Sequence, residues 1–478
     1  MLFNSIDFAI FFPIFFILYW FVTNKNLRLQ NFLIVAASYF FYGWWNWRFL
    51  FLILFSSLVD YFVGIRLLKQ ENLTKRKILL CTSILLNLGS LIFFKYYNFF
   101  LHNINSVFSL FGAKIQANSL NIILPVGISF YTFQTMSYSI DVYKRKLEPT
   151  EDFISFSAFV SFFPQLVAGP IERGAHLLPQ FYKKRKFEYT KAIDGMRQIL
   201  WGLFKKIVIA DNCADFANQI FNNSADMNGS TLVVGALFFT FQIYGDFSGY
   251  SDIAIGTSRL LGFNLMQNFN FPYFSRDIAE FWRRWHISLS TWFRDYLYFP
   301  LGGSRSSTWL KVRNIFLIFI VSGFWHGANW TFIVWGVLNA IYFLPLLLTN
   351  NNRNNLETVA QGKLIPSLKE ITLMLLTFGL TVFAWIFFRA ENIGHAISYV
   401  SKIFSPSLFS IPKFSGMSKG LSTLIFIFIF IFIEWKGRDG EYAISNLGLK
   451  WKRPIRYAII IAFFWFGGKE QQFIYFQF

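Results

Sequence analysis

Two histidines set the chemistry to be considered first. His326 lies in Trp325-His326-Gly327-Ala328-Asn329-Trp330, inside a long apolar run, and His286 lies 40 positions before it in Phe281-Trp282-Arg283-Arg284-Trp285-His286. A neutral imidazole, with an ordinary pKa of about 6.5, accepts a proton at neutral pH. That suits transfer of an acyl group to a hydroxyl, where a base takes the hydroxyl proton as the oxygen attacks a thioester or ester carbonyl. Phe324, Trp325 and Trp330 flank His326, and burial among them disfavours the protonated ring and keeps it able to accept a proton. The competing explanation is structural: Gly323-x-x-x-Gly327 is a small-residue face of the kind that lets membrane helices approach closely, and His326 is then a packing residue beside it. An ionisable side chain inside an intramembrane run points to function by default. His286 has several roles open to it: orienting the acceptor, relaying a proton, holding a carbonyl oxygen as charge develops, or supporting the fold through a hydrogen bond.

Further polar residues interrupt apolar sequence. Asp246 and Asp252 bracket a Gly/Ser/Tyr-rich stretch within Thr231 to Leu261. A buried carboxylate needs a partner, and an ion pair with a nearby arginine such as Arg259 is the plain expectation; orientation of a histidine is the alternative. Asn329 either donates to an oxyanion from one turn beyond His326 or breaks the helix there. Between Arg276 and Tyr298, charges alternate with aromatics, so this segment cannot face lipid all round. Glu280 and Arg284 stand at i, i+4 and are placed to pair. His102, His176 and His395 fall in polar intervals and are expected to be solvated or locally bonded. Cys81 and Cys213 are far apart and form neither a redox motif nor a metal-ligand spacing. No nucleotide-binding glycine loop or serine nucleophile elbow is present.

The elements that position these residues are set by hydrophobicity. Of 478 residues 55% are hydrophobic and 14% charged, which departs from soluble composition toward many spanning runs. About ten to twelve membrane-embedded segments are expected on the criterion of roughly 20 apolar residues per crossing. Met1 to Val22 lacks the basic start and small-residue cleavage site of a signal peptide and is expected to remain as the first span. The net charge of +19 comes from short clusters between apolar runs, Lys25/Arg28, Arg66 to Lys77, Lys144 to Lys146 and Lys183 to Lys186, rather than from one polar face. They argue for topology rather than nucleic acid, with the four clusters in the cytoplasm and the N-terminus outside. Positive-inside topology accounts for them, although docking of an acidic carrier or of anionic membrane lipid is a second reading. Phe153 to Val167, closed by Pro164, Gly169 and Pro170, is too short and broken for a span and is expected to be re-entrant or buried. Asn314 to Leu348 is 35 residues long and almost wholly apolar; a straight helix of that length would reach about 50 Å. It must tilt, break or double back, and Gly323, Gly327 and Asn329 place the break near its middle. No linker divides the chain, so one membrane domain, 1–478, is expected, with its motif-rich core at about 153–348.

Several blocks together resemble the membrane-bound O-acyltransferase family. The run Val321-Ser322-Gly323-Phe324-Trp325-His326-Gly327-Ala328-Asn329-Trp330 is similar to its histidine motif. Phe163-Pro164-Gln165-Leu166-Val167-Ala168-Gly169-Pro170-Ile171, Tyr244-Gly245-Asp246-Phe247-Ser248-Gly249-Tyr250-Ser251-Asp252, Asn268-Phe269-Asn270-Phe271-Pro272-Tyr273 and Phe281 to Ser290 follow in the order typical of its bacterial alginate O-acetyltransferase branch. The resemblance implies an all-α polytopic fold, a ring of helices around a central funnel or tunnel. It implies His326 and His286 as catalytic residues, with Asn329, Trp325, Trp330, Asp246, Asp252, Arg283 and Arg284 binding substrate or supporting the centre. It implies transfer of an acyl group, acetyl first, to an exported polysaccharide at a bacterial inner membrane, directly or through an exported partner protein. The donor would be a cytoplasmic thioester, acetyl-CoA or an acyl carrier protein, with no bound cofactor or metal. Two rivals remain open here: D-alanyl transfer to teichoic acid with a carrier protein, and a proton-coupled transporter that relays protons through the same histidines and acids.

Overall fold

The computed structural model describes residues 1–112, 119–305, 307–446 and 449–474, and among these it contains helices, turns and loops but no β-strand. The chain packs as two units. The first, Met1–Ala192 with Thr257–Met266, carries α1 (Ile6–Ile17), α2 (Leu27–Asn46), α3 (Leu50–Lys69), α4 (Leu73–Leu91), α5 (Tyr97–Leu110), α6 (Ile128–Tyr143), α7 (Phe153–Ser161), α8 (Phe163–Leu166) and α9 (Gly174–Leu177). The second, Ile193–Gly256 with Gln267–Phe478, carries most of α10 (Tyr189–Leu203), α11 (Asp211–Asn222) and most of α12 (Gly229–Leu260). It continues with α13 (Ile278–Arg284), α14 (Ile287–Phe293), α15 (Thr308–His326), α16 (Trp330–Leu348), α17 (Leu368–Arg389), α18 (Ile393–Ile403), α19 (Met417–Gly437) and α20 (Leu449–Phe466).

Seven helical stretches among the described residues are long and apolar enough to cross a bilayer: Leu27–Lys69, Leu73–Leu110, Gly229–Leu260, Thr308–His326, Trp330–Leu348, Leu368–Arg389 and Met417–Gly437. The protein is therefore an all-α, multi-pass membrane protein. The difference from ten to twelve has identifiable sources. The N-terminal run folds as a shorter apolar helix, Ile6–Val22, and Phe153 to Val167 folds as the short buried α7 and α8. Leu27–Lys69 counts once although it is broken: Asn46 leaves the helix at φ −160° and accepts from the Arg48 amide, giving α2 and α3 of 20 residues each. Side-chain caps start many of the helices, with Ser5, Asn26, Asn72, Asp152, Asp277, Asn329 and Asn392 accepting from first-turn amides. Ser367 and Glu370 close a full capping box on α17. Each satisfies donors that hydrocarbon could not.

In the first unit, α3, α4 and α6 are joined by one buried carboxyl group. Asp60, fully buried, accepts from Ser139 Oγ at 2.6 Å, Asn87 Nδ2 at 2.8 Å and Ser83 Oγ. The four basic clusters are also tied together. Arg76 donates to the Tyr143 carbonyl at 2.8 Å, joining the second cluster to the third. Arg185 donates to Gln30 at 2.9 Å and Asn31 at 2.7 Å, joining the fourth to the first. Tyr61, in the second half of α3, donates to the Glu151 carbonyl, and Arg28, Tyr61, Glu151, Asp152 and Tyr182 line one cavity of about 680 Å³.

In the second unit, α10 and α12 cross at glycines. A methyl on Gly202 would stand 2.6 Å from the Gly249 carbonyl oxygen, the contact that small-residue faces permit. The π segment Phe204–Ala210 after α10 turns two consecutive lysines to α12. Lys205 pairs with Asp252 at 2.5 Å, and Lys206 bridges Asp246 at 2.9 Å and Asp211 at 2.8 Å. The C-terminal segment completes this cluster: the Ile474 amide donates to Asp246 at 2.7 Å and Lys206 to the Gln471 carbonyl at 3.2 Å.

The long apolar run doubles back, one of the three outcomes that its length allowed. It divides into α15 and α16 at Gly327-Ala328-Asn329, and the two helices pack through Gly323 and Gly336, where an added methyl would overlap the carbonyls of Phe332 and Phe319. Gly336→Leu is expected to force the hairpin apart and destabilise the protein by about 3 kcal/mol, the upper end of ordinary overpacking. Gly379→Leu on α17, where nothing lies within 4 Å of the added carbon, should leave stability unchanged. Thermal unfolding of the detergent-solubilised proteins followed by size-exclusion fluorescence tests the pair, and equal midpoints would refute the packing argument.

A candidate active site around two histidines

Both histidines lie in the second unit, and Trp325 touches each of them. His326 is the last residue of α15, only 5% exposed. Its imidazole stands edge-on to Trp335 and Phe388, each with ring centroids at 5.3 Å, and to Trp325 at 4.9 Å. Trp335 stacks on Trp385 at 5.6 Å, so the box is walled by α16 and α17. The hairpin break sets this position: α15 stops at His326 because Gly327 takes an extended conformation, and the tight Gly323–Gly336 crossing holds Trp335 against the ring.

His286 is held by a different device. It is 1% exposed, with its ring edge-on to Phe247 at 4.6 Å and 6.1 Å from Trp325. Its backbone is left-handed, φ 45° and ψ 54°, a conformation that costs a non-glycine residue free energy and that clusters at functional sites. Two backbone bonds clamp the strained turn onto Asn268–Asn270: the Ile287 amide donates to the Asn268 carbonyl and Asn270 to the Arg284 carbonyl, both at 2.9 Å. The Asn268 side chain then fixes the ring. Its Oδ1 accepts from Ser288 Oγ at 2.8 Å and from the Ser288 amide at 3.3 Å, and its Nδ2 donates to Ser251 Oγ at 3.1 Å. The atom facing His286 Nδ1 at 3.1 Å is thus the acceptor Oδ1. Nδ1 therefore carries the proton, and Nε2 of the neutral ring carries the lone pair. Burial pushes the pKa of His286 well below the usual histidine range, which keeps the ring neutral.

The remaining expected residues divide. Arg284 pairs with Glu280 at 2.9 Å, as the i, i+4 spacing suggested, and also donates to the Asn270 and Glu357 carbonyls. Arg283 donates to the Asn352 and Asn355 carbonyls at 2.8 Å. Both arginines anchor the 352–357 loop to α13. Asp246 and Asp252 pair with Lys206 and Lys205 rather than with Arg259, because the π segment brings those lysines to α12. Asn329 caps α16, accepting from the Thr331 amide at 3.1 Å, and donates to the Glu391 carbonyl at 2.7 Å; its geometry is that of a helix start. Trp330, in the first turn of α16, is half exposed. The orienting group for His286 is an amide, Asn268, with Ser251 and Ser288 behind it. Its signal in the sequence was a polar residue opening the aromatic block Asn268 to Tyr273. Among the other histidines, His102 is exposed on α5. His176 hydrogen-bonds Glu172 at 2.6 Å, which raises its pKa. His395 lies in the first turn of α18, not in a loop, 3.0 Å from Ser224 Oγ.

Two imidazoles about a shared indole, in a buried aromatic enclosure, are equipped to accept a proton from a hydroxyl and return it to a leaving group. The comparisons with known proteins agree with that chemistry. The family described as MBOAT, membrane-bound O-acyltransferase family, matches residues 146–388, which include both histidines. The chain is 40% identical over 407 residues to a protein of Pseudomonas aeruginosa named Probable alginate O-acetylase AlgI, covering 85% of this chain and 75% of that one. It is 37% identical to the peptidoglycan O-acetyltransferase of Helicobacter pylori, covering 78% of this chain and 73% of the relative. With the teichoic acid D-alanyltransferase of Bacillus subtilis it shares 30% identity over 58% of this chain and 71% of that protein. A match that contains the whole histidine centre, together with these alignments, places the chain in the membrane-bound O-acyltransferase family.

Proposed function

We propose that this O-acyltransferase moves an acetyl group from a cytoplasmic thioester, on coenzyme A or an acyl carrier protein, for O-acetylation of an exported polysaccharide. The observation that carries the reading is His326, buried in its aromatic box at the end of α15 and sharing Trp325 with the oriented His286. His326 takes the proton of the acceptor hydroxyl while the hydroxyl oxygen forms its bond to the acyl carbon. The carbon–sulfur bond of the donor then breaks, and the thiolate leaves with the proton from the imidazolium. His286, with its Nδ1–H committed to Asn268, accepts a hydrogen bond from the acceptor at Nε2 and holds it for attack. Asp246, Asp252, Arg283, Arg284 and Asn329 support the centre by fixing α10, α12, α13 and the start of α16.

The acceptor is an exported polysaccharide hydroxyl, reached directly or through an exported partner that accepts the acyl group first. Both acetyltransferase relatives match more of this chain, at higher identity, than the D-alanyltransferase does, which favours acetyl over D-alanyl transfer. The protein resides in the bacterial cytoplasmic membrane, with its four basic clusters on the cytoplasmic side.

Acetate released by mild alkali from the surface polysaccharide of a deletion strain carrying His326→Ala is expected to fall at least about 100-fold below wild type, the usual contribution of a general base, at equal membrane protein level. Full acetate would remove His326 from the mechanism, and no acetate with wild type would move the substrate to another acyl group or acceptor. A second expectation concerns pH. Asn268→Asp places a carboxylate beside His286 Nδ1, which favours the imidazolium and raises its pKa. Protonation then removes the Nε2 lone pair as pH falls, so the variant should lose acetyl transfer at pH 6 relative to pH 8 in membrane vesicles given acetyl-CoA. Asn268→Ala should instead lower the rate at both pH values. Identical pH profiles for Asn268→Asp and wild type would overturn the tautomer assignment.

A further inference from the structure

In the first unit, a cavity of about 420 Å³ lies at the end of the N-terminal helix, lined by Phe16, Trp20, Phe21, Asn24, Lys25, Lys184, Arg185, Lys186 and Phe187. Its lining holds four cations and no carboxylate. Glu188, next in sequence, is engaged by Lys191 at 2.9 Å. Two rigid groups form the wall. Trp20, 7% exposed, donates to the Leu260 carbonyl at 3.1 Å. Arg185, also 7% exposed, is fixed by Gln30 and Asn31 and lies over the Phe263 ring at 4.9 Å. Lys25, Lys184 and Lys186 are exposed and make no ion pair among the described residues. They present three exposed ammonium groups around the pocket.

The pocket continues onto an apolar face. Ile6, Ile10, Ile14, Ile17 and Phe21 recur at helical spacing along the N-terminal helix, and each is more than half exposed. Phe187 packs edge-on against Phe16 and Trp20 at 6.2 and 5.5 Å, where that face meets the lysines. A cationic pocket at one end and an exposed apolar stripe at the other match an anionic amphiphile rather than a soluble anion. From this juxtaposition we infer that the pocket binds the phosphate headgroup of an anionic glycerophospholipid, with the acyl chains lying along the isoleucine stripe. The site is separate from the histidine centre and independent of the acyl-transfer reading. Its effect is to pin the first helix to Lys184–Phe187 in the leaflet that carries the basic clusters.

The test uses the full-length purified protein, delipidated in detergent and examined by native mass spectrometry with phosphatidylglycerol, phosphatidylethanolamine or glycerol 3-phosphate. Wild type is expected to retain one phosphatidylglycerol with about tenfold preference over phosphatidylethanolamine. The Lys25→Gln/Lys184→Gln/Lys186→Gln variant should lose that preference, while Lys77→Gln/Lys144→Gln/Lys146→Gln, with the same charge change elsewhere, should keep it. All three proteins should show the same size-exclusion profile without lipid, because only exposed side chains change. Equal retention of the two lipids by wild type, or equal loss in both variants, would overturn the proposal. Displacement of the lipid by glycerol 3-phosphate at equal concentration would assign the pocket to a free phosphate instead. Loss in the first variant of binding to an acidic acyl carrier protein, with phosphatidylglycerol retained, would make the surface a protein dock and end the lipid assignment.

Discussion

Hydrocarbon offers no hydrogen bond to a backbone or side-chain dipole, and most of what is specific in this protein follows from that constraint. Asp60 is buried among apolar helices only because Ser83, Asn87 and Ser139 converge on it from α4 and α6. Lys205 and Lys206 are buried only because three aspartates face them. Once made, such pairings cannot be exchanged for water at small cost, so removing either partner leaves an uncompensated group in a poor solvent. They fix which helix faces which, and small residues then decide how close the helices come.

The same constraint explains how the two histidines are held. His326 is held by packing: the Gly323–Gly336 crossing brings Trp335 and Phe388 to its edges. His286 is held by hydrogen bonds, in a left-handed backbone conformation that two amide–carbonyl bonds and Asn268 together maintain. A neutral amide is an effective orienter in that setting. A carboxylate beside Nδ1 would stabilise the imidazolium, whereas Asn268 fixes the tautomer without adding charge to a dry enclosure.

Much of this was legible in the sequence. The length of Asn314 to Leu348 required it to tilt, break or double back, and Gly323, Gly327 and Asn329 marked its middle for a break, which falls at Gly327-Ala328-Asn329. The Glu280–Arg284 pair followed from helical spacing. What could not be read depends on distance in the chain or on departures from α-helical geometry. Asn268 lies in a loop, where periodicity carries no signal, and reaches His286 through a strained turn. The lysine partners of Asp246 and Asp252 come from a π segment more than 35 residues upstream. Arg259, on the same helix as the aspartates, was nearer in sequence and was the natural expectation for that reason.

The two histidines are held by different supports. The His326 ring is wedged between the aromatic edges of Trp325, Trp335 and Phe388. A ring whose Nδ1–H is already committed to Asn268 Oδ1, which also binds the Ser288 hydroxyl, cannot change tautomer without breaking that set. A fixed tautomer suits a hydrogen-bond acceptor that must remain in one form throughout. In the proposed reaction His326 carries the proton and His286 anchors the attacking hydroxyl, and their shared contact with Trp325 brings both rings into one small enclosure.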